Sequence, residues 1–328
     1  MGECLDSILA QTFQDFEVVL VNDCSTDNSR AIVESYLEKF GGRLRIYDNE
    51  KNSGAGATRN NGLLKAVGEY IYFMDADDLI LADGLEQMYK IAKYFDVDVV
   101  NLTKSYNMSN DGQKKTLVHL ALTRSKNEPI LESNLEWRVK GILENYLTAW
   151  APWRRLVRRE FLIKNEIFFP EKIMTCEDEI WTHGLLFCAK KIVHVPLVVY
   201  LYRLSENSLT KAKRTNLQNI NMRINTIIHG LKWIDNIMNK IPFFGENPSY
   251  RYAVLEHAAQ RYFTKLYKSS LKVLSADMYM SIKSTFGKNL GDNEILVSVL
   301  CTMISSYRKI IEKNKERIAE LETQLKIK

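Results

Sequence analysis

Short apolar segments that end abruptly in polar and acidic residues alternate with helical patterns along the N-terminal part of this chain. Residues 16–21 (FEVVLV) run into NDCSTDNS, and residues 70–74 (YIYFM) run into DADD. Apolar runs of this length are typical of strands buried on both faces of a parallel sheet. Their alternation with helices predicts an α/β fold with a doubly wound, mostly parallel sheet, whose ligands bind at the carboxyl ends of the strands.

The same patterns predict the individual elements of the fold. After residue 203 the pattern is helical nearly to the end, with a break at 241–250 (IPFFGENPSY). A loop or hairpin is expected over 106–125. Helices are predicted over 3–12, 29–40, 57–66, 83–94, 155–164 and 178–188, and strands over 16–21, 44–47, 70–74, 97–102 and 192–202.

Composition fits a soluble globular protein of two domains, with 328 residues, 46% apolar side chains and 26% charged ones. The five cysteines show no C-x-x-C or other metal-ligand spacing, which indicates reduced thiols in a cytoplasmic protein. No apolar run is long enough to cross a bilayer, and the first residues lack the features of a signal peptide. We therefore expect a cytoplasmic location.

Charge is distributed unevenly. Residues 1–205 carry 25 Lys and Arg against 29 Asp and Glu, whereas residues 206–328 carry 20 against 11. The basic C-terminal part is either a solvated helix surface or a face for an anionic membrane or acceptor, so peripheral membrane association is one expectation. Nucleic acid is not expected as a partner, because basic residues with interleaved aromatics are missing. An apolar heptad pattern over 304–325 suggests a short coiled coil and a homo-oligomer, or a helix docked on its own domain.

Carboxylates follow the apolar run 70–74 directly. Asp75, Asp77 and Asp78 lie where that predicted strand ends. Carboxylate oxygens are the ligands that Mg²⁺ or Mn²⁺ prefers, and such a cation would neutralise a bound diphosphate. The alternative is that these acids cap the next helix. The position after a buried strand favours a metal site, in which one of these carboxylates would reach the metal.

Asn22 and Asp23 end the run 16–21 in the same way. Asp23 could accept a hydrogen bond from a nucleobase N–H, or it could cap the following helix. The loop 52–60 (NSGAGATRN) places two glycines before a helix start, which suits close approach of a ligand to the backbone. It is not a dinucleotide fingerprint, because the strand-turn-helix placement and the downstream acid are missing.

Taken together, ECLDSILAQTFQDFEVVLVNDCSTDNS, NSGAGATRNNGL and GEYIYFMDADDLI resemble successive blocks of the family 2 glycosyltransferases, which have the GT-A fold. APWRRLVRREFLIKNEIFFPEKIMTCEDEIWTHGLL and YLYRLSENSLT are similar to the segments that follow in that family. The resemblance covers about residues 3–210. It implies a nucleotide-sugar donor, Mn²⁺ or Mg²⁺, and inversion at the anomeric carbon. It also implies a GT-A core over 1–105, an acceptor-side part over 106–210, and a helical C-terminal region over 211–328.

The resemblance also implies roles for individual residues. Asp178 matches the general base and Glu177 its supporting neighbour, Asp77 matches the metal ligand, and Asp78 a cap or support. The donor-binding positions are Asn22, Asp23, Arg59, Asp75, Arg203 and Ser205. Trp150 and Trp153 could stack on an acceptor sugar, although a buried core position is the commoner fate of tryptophan. Family members usually begin with one more apolar strand, so we expect the central part of the sheet to lack it here.

The resemblance implies an inverting glycosyltransferase that moves a sugar, from a UDP-sugar by preference, to a hydroxyl of a glycan or polyol-phosphate acceptor in surface-polysaccharide synthesis. Two alternatives remain open at this point. One is a non-catalytic oligomeric subunit that binds nucleotide or glycan. The other is a nucleotidyltransferase, which would want a glycine- and lysine-rich first loop that this sequence does not show.

Overall fold

A computed structural model describes residues 1–119, 128–147, 149–171, 173, 175–204 and 216–270 of the chain. The chain divides into two compact units, Met1–Arg214 and Thr215–Lys328. The predicted coiled coil at 304–325 and the candidate residue Ser205 lie outside the described residues.

The first unit alternates strands and helices. Its strands are β1 (Val18–Asn22), β2 (Leu44–Asp48), β3 (Tyr70–Tyr72), β4 (Leu79–Ile80), β5 (Val99–Leu102), β6 (Lys104–Met108), β7 (Lys115–His119), β8 (Ile130–Glu132), β9 (Arg155–Arg158), β10 (Ile192–Val195) and β11 (Tyr200–Arg203). Its helices are α1 (Gly2–Leu9), α2 (Ser29–Glu34), α3 (Gly54–Lys65), α4 (Gly84–Phe95), α5 (Leu135–Leu143), α6 (Arg159–Lys164) and α7 (Glu177–Cys188).

These strands form three sheets. Strands β1 and β2 pair in parallel as a two-stranded sheet. A five-stranded sheet has the order β3-β9-β5-β10-β8, and a four-stranded sheet the order β4-β11-β6-β7. In the part of the chain that the structure describes, β1 pairs only with β2, and β3 pairs only with β9. The predicted α/β class is confirmed, with parallel pairings (β5–β10, β6–β11) beside antiparallel ones (β3–β9, β5–β9).

The core forms where the apolar runs predicted it. All residues of β5 and β10 are buried, as expected for strands covered on both faces. Helix α4 turns Met88 and Ala92 into the same cluster, where they meet Val100 and Val193. Burial of this apolar surface contributes roughly 25 cal/mol per Å². It stabilises the five-stranded sheet that contains β3, the strand that precedes the acidic segment 75–78.

Two predictions about local structure need correction. Residues 155–158 are strand β9 instead of the first turn of a helix, which begins at Arg159. The arginines of this segment masked a strand that is inserted between β3 and β5. The predicted strand 192–202 is two strands, β10 and β11, which lie in different sheets. Of the loop or hairpin expected over 106–125, the described residues show the hairpin of β6 and β7.

In the second unit, α8 (Asn216–Asn239) and α10 (Pro248–Ser270) pack on each other around the short helix α9 (Pro242–Glu246). Prolines begin both α9 and α10, where the missing N–H costs nothing. The predicted break is therefore a change of helix. None of the described helices combines the length and apolarity that crossing a bilayer requires.

Candidate active site

The carboxylate of Asp23 organises the loop after β2. It accepts hydrogen bonds from the side chain of Asn49 (2.8 Å) and from the backbone N–H groups of Ser53 (2.8 Å) and Gly54 (2.9 Å). Burial alone would raise the pKa of Asp23, but these hydrogen bonds lower it below its ordinary value. Asp23 thus caps the N-terminus of α3 across the site, while Gly54 adopts φ +83°, which suits glycine.

Asn22 is held beside it at the end of β1. Its side-chain amide Nδ2 donates to Asp48 at 2.9 Å, and its side-chain oxygen Oδ1 accepts the N–H of Ser25 at 3.0 Å. Asn22 and Asp23 therefore both shape the loops at the carboxyl ends of β1 and β2, the edge at which α/β sheets bind ligands.

Arg59, on α3, joins two acidic segments. Its Nη2 lies 2.9 Å from Oδ1 of Asp75, and its Nη1 lies 3.4 Å from Oε1 of Glu177. The guanidinium also lies over the ring of Phe169, 5.3 Å from its centroid. The side chain is only 18% exposed, so both contacts lie in a partly desolvated environment where charges interact more strongly than in water.

Helix α7 begins at the site with three consecutive acids, Glu177, Asp178 and Glu179. The residue before it, Cys176, has φ +64°. Burial, and then the neighbouring charge of Asp178, raise the pKa of Glu177 in spite of Arg59. The N–H of Glu179 donates to Oδ1 of Asp178 at 2.7 Å. The helix dipole favours negative charge here, so these acids can stabilise the start of α7 and still serve in catalysis.

Close packing brings α3 against the segment that precedes α7. Asn60 donates to the carbonyl of Phe169 at 2.8 Å and accepts the N–H of Phe169 at 2.7 Å. A Cβ built on Gly56 would lie 3.3 Å from Cβ of Phe169 and 3.5 Å from Cγ of Glu177. Only a glycine lets the two backbones approach this closely without displacement.

The acids after β3 differ in environment. Asp77 is exposed, and its carboxylate makes no hydrogen bond or ion pair with the residues that the structure describes. Asp78 is fully buried and accepts hydrogen bonds from the hydroxyl of Tyr200 and the N–H of Arg203, each at 2.6 Å. Burial, together with the charges of Asp77 and Asp75, raises the pKa of Asp78 to about 7 although these hydrogen bonds lower it. Asp78 therefore supports the segment.

Arg203, at the end of β11, lies against the same acidic segment. Its Nε donates to the carbonyl of Asp77 at 3.0 Å and its Nη1 to the carbonyl of Asn110 at 2.7 Å. Its Nη2 pairs with the carboxylate of Glu3, which is 71% exposed. The predicted donor-binding Arg203 thus lies beside the acids, and its Nη2 is paired with the exposed carboxylate of Glu3.

The donor atoms fit a hard divalent cation. Among the described residues no group of three or more His, Cys, Asp or Glu side chains is arranged to hold a metal. Mg²⁺ is, however, commonly bound through one or two carboxylates and the phosphates of a substrate. The exposed, uncommitted carboxylate of Asp77 meets that requirement, whereas Asp78 is buried and engaged.

The two candidate acceptor tryptophans have different surroundings. Trp150 is partly exposed and stacks on His183, with ring centroids 5.1 Å apart. Trp153 is 8% exposed and stacks on Tyr200 in the core, with ring centroids 4.3 Å apart. Because its ring packs on core neighbours, Trp153 is a core residue, and Trp150 remains the acceptor candidate.

Sequence reasoning missed Glu3, Asn60 and Tyr200. Glu3 forms an ion pair with Arg203. Asn60 donates a hydrogen bond to the carbonyl of Phe169, and the hydroxyl of Tyr200 donates one to Asp78. Their partners are distant in the chain, so no local spacing could have revealed them. The only signal was that all three stand in the sequence blocks that resemble family 2, namely ECLDSILAQTFQDFEVVLVNDCSTDNS, NSGAGATRNNGL and YLYRLSENSLT.

Comparison with known proteins gives consistent results. The model of "Glycosyl transferase family 2" matches residues 1–151. The glycosyltransferase EpsJ of Bacillus subtilis is 31% identical over 64% of this chain, which spans 58% of the length of EpsJ. The glycosyltransferase GlyG of Streptococcus pneumoniae is 30% identical over 64% of this chain and 68% of its own length.

A solved structure supports the fold. The crystal structure of S. aureus TarS 1–349 in complex with UDP-GlcNAc is similar with a TM-score of 0.68, over 96% of this chain and 87% of that one, at 20% identity. At this identity the similarity concerns the fold alone. The expected GT-A-like α/β architecture is thereby confirmed.

Proposed function

Because this chain belongs to glycosyl transferase family 2, we propose that it transfers a sugar from a nucleotide-diphosphate sugar to a hydroxyl of a glycan or polyol-phosphate acceptor in surface-polysaccharide synthesis, with inversion at the anomeric carbon. One observation carries the proposal. Arg59 joins Asp75, at the carboxyl end of β3, to Glu177 beside Asp178 at the N-terminus of α7. A donor-side acid and a candidate base thus belong to one site.

The residues divide the binding of the donor among them. Asp23, with Asn22, presents carboxylate and amide oxygens beside loop 49–54, where a nucleobase would be read. Asp75 is the proposed ribose contact, and Arg203 the proposed diphosphate contact, assisted by Ser205. A UDP-sugar is the first donor class to test, because TarS was crystallised with UDP-GlcNAc. Mn²⁺ or Mg²⁺, held by Asp77, would supply positive charge against the diphosphate.

The reaction requires a base for the acceptor hydroxyl. As the acceptor oxygen forms its bond to the anomeric carbon, the bond from that carbon to the diphosphate oxygen breaks, and the electron pair leaves with the nucleoside diphosphate. The acceptor proton passes to the carboxylate of Asp178. Arg59 holds Glu177 next to this base, and Arg203 opposes the growing negative charge on the diphosphate. Trp150 is the proposed acceptor platform.

We place the reaction in the cytoplasm, with the basic C-terminal part directed to an anionic membrane surface or acceptor. Residues 206–328 carry 20 Lys and Arg against 11 Asp and Glu. Self-association through 304–325 belongs to the same proposal.

The test is a thermal-shift screen of UDP, GDP, CDP and dTDP with and without Mn²⁺. A nucleotide at about 100 times its Kd stabilises the folded state by about 2.7 kcal/mol. We expect a metal-dependent shift with one nucleotide, lost in Asp77→Ala and retained in Asp15→Ala, an exposed aspartate before the amino end of β1. A cooperative melt that responds to none of them would contradict the proposal.

A further inference from the structure

The hydroxyl of Tyr200 joins two points of the acidic segment. It accepts the N–H of Asp75 at 3.2 Å and donates to Oδ2 of Asp78 at 2.6 Å. The other oxygen of Asp78 accepts the N–H of Arg203 at 2.6 Å. Tyr200 and Asp78 are both 0% exposed. We call the Tyr200 hydroxyl and the Asp78 carboxylate the Tyr200 clamp.

The Tyr200 clamp is buried, but the groups on either side of it are not. Asp77, which lies between Asp75 and Asp78 in the chain, is exposed, and its side chain has no partner among the described residues. Its position therefore depends on the backbone that Asp75 and Asp78 fix. On the other side, the clamp holds the backbone of Arg203, whose Nε donates to the carbonyl of Asp77.

Neighbouring elements keep the clamp in place. Strand β4 pairs with β11 directly after Asp78, with Ile80 opposite Tyr200. The ring of Tyr200 stacks on Trp153 at 4.3 Å with an interplanar angle of 5°. The hydroxyl thus has a fixed position from which to hold both hydrogen bonds.

We propose that Tyr200 and Asp78 are positioning residues that set the spacing between the carboxylate of Asp77 and the guanidinium of Arg203, and so determine how tightly a metal–nucleoside diphosphate is held. The inference rests on the proposed function, because it assigns these two groups to the diphosphate and its metal. Neither positioning residue touches the ligand itself. Their effect is on the affinity for the metal-bound nucleotide.

Tyr200→Phe separates this role from packing. Phenylalanine keeps the ring that stacks on Trp153, and the backbone pairing of β4 with β11 is unaffected. The variant removes only the hydroxyl, so the N–H of Asp75 and Oδ2 of Asp78 lose their partner. Tyr36→Phe is the matched control, because the hydroxyl of Tyr36, in the turn after α2, also donates to an aspartate, Asp6 of α1, at 2.9 Å.

The experiment measures the Kd of UDP, GDP, CDP and dTDP by calorimetry at fixed MnCl₂, and then the Mn²⁺ concentration that gives half-maximal binding of the best nucleotide. We expect Tyr200→Phe to weaken nucleotide binding about tenfold and to raise the required Mn²⁺ concentration. Tyr36→Phe should leave both quantities unchanged. A merely structural loss would lower the melting temperature in both variants without changing the Mn²⁺ requirement of either.

Affinity and Mn²⁺ requirement equal to wild type in Tyr200→Phe would overturn the positioning role and leave the proposed function intact. A wild-type protein that binds none of the four nucleotides would overturn the proposed function, and this inference with it.

A second comparison uses Asp78→Asn, which can still accept the N–H of Arg203, and Asp78→Ala, which cannot. We expect Asp78→Asn to bind the nucleotide more tightly than Asp78→Ala does. Equal affinities in these two variants would contradict the positioning role of Asp78.

Discussion

The Nη2 atom of Arg59 lies 2.9 Å from Oδ1 of Asp75, and this contact fastens helix α3 to the loop that follows β3. The same guanidinium reaches Glu177, which is 118 residues away in the chain. The cation therefore lies among carboxylates that would otherwise repel one another. This arrangement makes Arg59 the first residue to test.

Arg59→Gln should lower both stability and nucleotide affinity. The change leaves the partly buried Glu177 beside Asp178 without its cation, and loss of one partner of such a pair costs about 1–3 kcal/mol. Urea unfolding and nucleotide titration measure the two effects. Arg43→Gln is the control, since Arg43 contacts Gln14 away from the site. Stability and affinity like those of wild type would show that the bridge has no energetic role.

Asp178→Asn should retain nucleotide binding and lose turnover. A general base contributes about 10²- to 10⁴-fold to rate, and asparagine keeps the size of the side chain without its basicity. The measurement pairs Kd for the nucleotide with the rate of sugar transfer or donor hydrolysis. Asp15→Asn should match wild type in both. Normal turnover in Asp178→Asn would assign the base elsewhere.

Glu3→Gln should strengthen the binding of a nucleoside diphosphate. The exposed Glu3 carboxylate pairs with Nη2 of Arg203, and a bound diphosphate would have to displace it. Exposed pairs are worth up to about 1 kcal/mol, so we expect about a two- to fivefold lower Kd. Glu34→Gln, which removes a carboxylate paired with Arg30, should have no effect. Weaker binding in Glu3→Gln would mean that Glu3 orients Arg203 instead.

Stability should fall in mild acid because of His194. Burial lowers the pKa of His194 to about 3, and its Nδ1 lies 3.0 Å from the amide of Asn101. Below pH 6.5 the unfolded chain binds a proton that the native state does not. The free energy of unfolding should therefore decrease as pH falls from 6.5 towards 3, at about 1.4 kcal/mol per unit from this residue.

Urea unfolding between pH 7.5 and 4.5 measures this slope. His194→Gln should have a shallower pH dependence than wild type, whereas His119→Gln, which removes an exposed histidine, should not. Equal slopes in wild type and His194→Gln would contradict the assignment.

The sequence predicted the parts of the site that depend on local pattern. The apolar runs end just before Asp23 and Asp75, which follow β1 and β3. The location of the candidate site at the carboxyl ends of these strands was therefore predictable from the hydrophobic pattern alone. Strand β9 was missed because its arginines imitate the polar face of a surface helix. Arg155, for example, is 2% exposed, and this burial depends on the position of β9 between β3 and β5 in the sheet.

Contacts between distant segments were also beyond local pattern. Tyr200 reaches Asp78 across 122 residues, and Asn60 reaches Phe169 across 109. Spacing arguments connect residues within one element, whereas these pairs depend on how strands are ordered in the sheets. The roles taken from family resemblance named Arg59 and Glu177 separately but not their contact.

The fit of Gly56 and Asn60 against Phe169 has a consequence for engineering hybrids of this protein. A segment that covers Phe169 to the start of α7 cannot be exchanged for that of a relative without regard to α3, because the two share an amide clamp and a glycine-sized gap. Exchange boundaries drawn between consecutive blocks of the chain would separate these partners. A working hybrid would have to transplant 54–60 together with 169–177, as one discontinuous module.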